Sequence, residues 1–155
     1  MKSLSVFGLA ALLGAAILAT APAQEKKAAG LDPAKLVGTW VYVSGVREGK
    51  KVEKERLAGK VKITKDTFTI PSGDPKNPFV IGYKINTKAS PPTIDLNIKD
   101  GPVKEGKALG IIELKGGELK VCYVPLMDKD AKRPEKFEST EENKAFYFTL
   151  KRDKK

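Results

Sequence analysis

Apolar and polar residues alternate with a period of two along much of the chain beyond residue 38. The clearest case is 93–99, where Ile94, Leu96 and Ile98 interleave with Asp95, Asn97 and Lys99. Strict alternation of this kind predicts a strand with one buried and one wet face. Further β-like runs cover 39–46, 60–64, 67–70, 79–85, 108–114, 118–124 and 144–152. Val61 and Ile63 share a face, as do Phe68 and Ile70, and Phe79, Ile81, Tyr83 and Ile85. In the last run Phe146, Phe148, Leu150 and Arg152 do the same. The gaps carry turn chemistry: Arg47-Glu48-Gly49-Lys50, Lys65-Asp66, a proline-rich loop over 71–78, loops over 87–92 and 100–106, and Lys115-Gly116-Gly117. The charged stretch 51–58 suits one short helical turn, and 125–142 is the longest connection.

Eight short runs, mostly consecutive and hairpin-linked, predict an all-β domain: an eight-stranded antiparallel up-and-down barrel. Closure removes the two edges that an open sheet would expose. Eight strands enclose an interior just wide enough for packed side chains or one small ligand. A β-sandwich is the alternative on strand count alone.

The first residues do not belong to that pattern. Met1-Lys2 supplies a positive start, 6–18 is unbroken apolar or small, and Ala21-Pro22-Ala23 places alanine at −3 and −1 of a cut before Gln24. This predicts a signal peptide over 1–23 and export to the periplasm or beyond. The alternative, an uncleaved anchor, wants a span of ~20 apolar residues, longer than this run. No cysteine follows the run, which speaks against lipoprotein processing. Residues 24–34 read as a flexible lead, and 35–153 as the barrel domain.

Composition narrows the chemistry. The net charge is +10, carried almost wholly by lysine, with arginine only at 47, 56, 133 and 152. Lysine scattered through turns and strand faces is a solvated surface, not the arginine-aromatic cluster of a nucleic-acid reader. An anionic surface or a protein partner is the role such an exterior leaves open. The chain has no histidine, which removes Ser-His triads, the common zinc sites and haem on a proximal histidine. The single cysteine, Cys122, lies mid-strand and reads as a small packed hydrophobe, not a reactive thiol. Residues 127–132 begin like a calcium loop but lack the glycine at position six and put lysine at the fifth. Asp95 and Glu113 could be paired carboxylates for acid–base work, but Asp95 alternates with apolar neighbours, so it is expected to face outward. No catalytic residue, metal site or cofactor is expected.

Gly38-Thr39-Trp40 resembles the G-x-W motif that opens the first strand of lipocalins. The resemblance implies that Trp40 closes the barrel floor and that Arg152, at the end of the last run, packs across it. A guanidinium over an indole face gains cation–π energy while its donors reach nearby carbonyls. More specifically, the chain resembles a lipocalin-like domain family of uncharacterised exported bacterial proteins, known chiefly from planctomycetes. The shared segments are Leu36-Val37-Gly38-Thr39-Trp40, Pro91-Pro92-Thr93-Ile94-Asp95-Leu96, Gly110-Ile111-Ile112-Glu113-Leu114, Glu118-Leu119-Lys120-Val121-Cys122, Arg133-Pro134-Glu135-Lys136-Phe137 and Lys151-Arg152. Ile112 stands where the family has tyrosine, and Gly117-Glu118 where it has aspartate before its leucine. The family has no assigned activity, so the resemblance implies architecture only.

Two functions follow from a barrel of this size. One is a carrier of a small apolar or amphipathic ligand, with interior candidates Phe68, Ile81, Tyr83, Phe146 and Phe148. The other is a filled barrel acting as an interaction or inhibitor module through its loops and basic exterior. Arg133, Pro134 and Phe137 either flank the mouth or, the preferred reading, stiffen the loop while Phe137 plugs the barrel end.

Overall fold

A computed structural model describes residues 30–127 and 130–154; the signal peptide expected over 1–23 and the start of the expected lead over 24–29 lie outside the described residues. The strands are β1 (Gly38–Arg47), β2 (Lys50–Lys51), β3 (Lys60–Ile63), β4 (Thr67–Ile70), β5 (Phe79–Asn86), β6 (Thr93–Asp100), β7 (Lys107–Lys115), β8 (Glu118–Pro125) and β9 (Phe146–Arg152). Each pairs antiparallel with its neighbour in the order β2-β1-β3-β4-β5-β6-β7-β8-β9, and β1 pairs β9 as well. Eight strands therefore close into an up-and-down barrel, with β2 a two-residue extra strand on β1. Closure excludes the β-sandwich.

The predicted strand centres hold, with two local differences. β2 forms because Glu48 and Gly49 adopt φ of 50° and 78° and turn the chain back on Val46 and Arg47. The last strand starts at Phe146, not at residue 144, because Lys144 sits at φ 51° and breaks the extended backbone. The Gly116-Gly117 hairpin has φ of 58° and 78°, a turn that suits the twist of its strands. The stretch 51–58 contributes the 3-10 turn Lys54–Leu57.

The domain also begins earlier than expected. Leu31 is buried in the core, and Asp32 caps a 3-10 turn over Pro33–Leu36 by accepting from Ala34 N at 3.0 Å. The lead is therefore not flexible through residue 34. Leu36 is fully buried and its turn covers one end of the barrel, the floor.

The core fills the floor half. Trp40, Val61, Ile63, Phe68, Tyr83, Ile94, Ile112, Leu119, Val121 and Leu150 point inward and are buried. A second apolar cluster lies on the outer wall, where Ile111, Cys122, Val124 and Ala145 are covered by Ala131, Phe137 and Tyr147. The connection between β8 and β9 thus straps across the outside of the sheet. Arg133 pins it: Nη1 donates to the carbonyls of Ile94 (3.0 Å) and Gly110 (2.7 Å), and Nη2 meets Asp95 at 2.6 Å. Phe137 is consequently no plug of the barrel end; its ring lies 6.2 Å from that of Tyr147, outside the barrel. Pro134 is buried in the same strap.

Candidate functional site

The interior packs most tightly toward the floor. Trp40, Ile94, Ile112 and Leu119 are fully buried, whereas Tyr42, Ile70, Ile81, Leu96, Tyr123 and Phe148, one layer nearer the mouth, are only partly buried. All six are packed against the core and line the same lumen.

One irregularity sets the chemistry of the mouth. The β1–β9 register runs Trp40 to Arg152 and Tyr42 to Leu150, then shifts, so that Gly45 faces Phe148 and Arg47 faces Phe146. The extra residue is Val43, which is turned outward and exposed. A bulge of this kind switches which residues point inward. Beyond it Gly45 and Arg47 face the lumen side, where uninterrupted alternation would have placed Ser44 and Val46. Gly45 is required there: a Cβ would lie 2.7 Å from Phe148 Cδ1 and Cε1, and 3.2 Å from Leu57 Cδ2. Leu57 thereby brings the Lys54–Leu57 turn against the mouth.

A file of aromatic rings follows. Tyr42 and Phe148 have centroids 5.5 Å apart, Tyr123 and Phe148 6.3 Å, and Tyr123 and Phe146 5.4 Å. The Arg47 guanidinium caps it, 4.2 Å from the Phe146 centroid. Among the described residues Arg47 has no ion pair, and neither the Tyr42 nor the Tyr123 hydroxyl has a hydrogen-bond partner. No side-chain oxygen or nitrogen sealed from solvent lacks a partner there, so both hydroxyls touch space that water enters. Burial raises both phenols. For Tyr42 the neighbouring Tyr123 adds to the effect. Tyr123 is pushed from 10.0 to about 12, burial outweighing the Arg47 charge that pulls it down. Both rings are thus set deep among protein atoms while their oxygens stay wet.

The structure divides the interior candidates. Phe68 and Tyr83 belong to the floor core, edge to face at 4.9 Å, with the Tyr83 hydroxyl donating to Thr64 O at 2.7 Å. Ile81, Phe146 and Phe148 belong to the mouth. Tyr42, Tyr123 and Arg47 were not among the expected residues. Asp95 and Glu113 do not pair with each other: Asp95 holds Arg133, and Glu113 lies 3.6 Å from Lys120. Among the described residues no group of acids and cysteine could hold a metal ion. Cys122 is fully buried, its thiol donates to Glu138 O at 3.4 Å, and burial pushes it from 9.0 up to about 11.

A second concavity, an open groove of about 1030 Å³, lies outside the barrel between the strap and the ends of β8 and β9. Glu48, Asp130, Glu135, Glu138 and Glu142 alternate there with Lys132, Arg133, Lys136 and Lys144. Val124, Pro125, Met127, Ala131, Pro134 and Phe146 line it as well, so the groove is a mixed surface on the outer wall. In comparisons with known proteins, no family model, curated protein or solved structure matches the chain.

Proposed function

We propose that this chain is an exported carrier of the lipocalin-like type, taking one small amphipathic molecule into the mouth half of its barrel. The observation that carries this reading is a burial gradient: Trp40 is fully buried, whereas Tyr42, Tyr123 and Phe148 are only partly so. The G-x-W floor with its crossing arginine and the Ala21-Pro22-Ala23 site support the family and the export. The ligand is short or narrow, since aromatic rings occupy the depth of the barrel. The reading includes no catalytic role, because the two candidate carboxylates are each held by a base.

A neutral fluorescent apolar probe, N-phenyl-1-naphthylamine, tests the site. Saturable one-to-one binding that Gly45→Phe abolishes is the expected result. Failure to saturate would overturn the reading. Native mass spectrometry of protein from its own periplasm separates the alternatives: a co-purifying small molecule supports the carrier, and a stoichiometric protein partner would favour the filled-barrel module.

A further inference from the structure

We infer that the mouth recognises an anionic amphipath, a molecule with one carboxylate-type head on an apolar body, whose head is held by Arg47 together with the hydroxyls of Tyr42 and Tyr123. The inference rests on the carrier reading and adds the chemistry of the ligand.

Three features converge. Arg47 is a guanidinium with no ion pair among the described residues, fixed in place by the Phe146 ring at 4.2 Å. A cation stacked on an aromatic ring keeps its edge N–H donors free for a carboxylate. Tyr42 and Tyr123 add two O–H groups without protein partners in the same aromatic file. Phenols are protonated at neutral pH and burial raises both further, so both can donate to an anion instead of repelling it. Glu48, the acid nearest in sequence, lines the outer groove, and its main-chain N–H is tied to Ala145 O at 3.0 Å. It does not neutralise the site from inside. Below the head, Ile81, Leu96 and Phe148 supply the wall for the apolar body.

A cationic amphipath meets an unpaired guanidinium and is rejected by charge. A neutral one makes the apolar contacts but leaves the Arg47 donors to water, at lower affinity. Three probes of equal chain length separate these cases in titration calorimetry on the full-length mature protein: decanoate, decanol and decylamine. Decanoate should bind about tenfold more tightly than decanol, the scale of one charge-assisted hydrogen-bonded contact, and decylamine should bind weakest. Arg47→Met should collapse the decanoate-to-decanol ratio toward one, while Lys115→Met, an exposed lysine at the β7–β8 hairpin, should leave the ratio intact. A melting curve reports whether Arg47→Met folds. Where it does not, the isosteric pair Tyr42→Phe and Tyr123→Phe takes its place, with a severalfold loss of the ratio expected. Equal binding of decanoate and decanol, or a ratio that survives these substitutions, overturns the head-group inference and leaves the carrier reading standing. Binding of none of the three overturns both.

Discussion

The Arg152 guanidinium lies 4.7 Å from the centroid of the Trp40 ring, and the two residues are cross-strand partners in β9 and β1. Trp40 is fully buried, and its indole N–H donates to Leu36 O at 2.8 Å. Arg152 donates to Val37 O at 3.1 Å and to Lys35 O. One side chain thus covers the ring face and satisfies carbonyls of the turn that closes the floor. Trp40→Ala should cost ~3–5 kcal/mol, the range for a buried aromatic truncated to alanine. Arg152→Met should cost ~1–2 kcal/mol, since the stem remains and the cation–π contact goes. A urea series on Trp40→Phe, Arg152→Met and the double variant measures the coupling; strictly additive losses would mean that the contact contributes nothing.

Gly38 belongs to the same device. Its φ is +141°, and a Cβ built on it would lie 2.5 Å from Arg152 Nη1. Two costs therefore fall on Gly38→Ala: a backbone region hostile to side chains and displacement of the arginine. Their sum is on the order of 2–4 kcal/mol. In an Arg152→Ala background the collision disappears and only the backbone cost remains. The penalty for Gly38→Ala, read from denaturant midpoints, should shrink there; an unchanged penalty would show that Gly38 is needed for φ alone.

The barrel was legible in the sequence because its strands bury one face, and alternation reports that directly. Residues 93–99 and 146–152 show it best. The floor was legible through the resemblance of Gly38-Thr39-Trp40 to the G-x-W opening, which implied Arg152 as the crossing residue. The strap was not, because Phe137 and Pro134 read alike whether they plug an end or cover a wall. A signal did exist: Ile111-Ile112 and Val121-Cys122-Tyr123-Val124 are apolar without alternation, as strands covered on both faces are. The mouth residues escaped for a different reason. The bulge at Val43 switches parity within β1, so no period-two count places Arg47, an exposed residue at the rim, on the lumen-facing side. Leu31 was missed because a lone leucine in a polar lead carries no period at all.

The strap should behave as a latch over Cys122. Its thiol is fully buried beneath that connection, which Arg133 fastens through two carbonyls and Asp95. Reaction with a thiol reagent under native conditions then requires local opening. Arg133→Ala removes hydrogen bonds from a charged donor, and labelling of Cys122 should accelerate by roughly tenfold or more. Phe137→Ala, which strips the cover from Tyr147 and the outer cluster, should act in the same direction. Labelling that is fast in the parent protein, or unchanged by both substitutions, would show that the strap does not guard the thiol.

The same thiol makes stability depend on alkaline pH. Cys122 titrates near 9.0 when unfolded and is raised by burial to about 11 in the folded chain. Between those values the unfolded chain has released a proton that the folded chain still holds, so the unfolded state binds fewer protons and stability falls as pH rises. The contribution is fully present below pH 9 and is lost as pH climbs through about 11. Tyr123, raised from 10.0 to about 12, adds a second loss at higher pH, and Tyr42 is raised in the same sense. Urea midpoints for the parent protein should therefore hold steady to about pH 9 and then decline. Cys122→Ala removes the thiol but leaves the phenols, so its midpoints should start lower and decline less steeply from pH 9 to 11. Every other group is common to the two proteins, so the comparison isolates the thiol. Parallel curves for the two would show that the Cys122 thiol is not held protonated by burial.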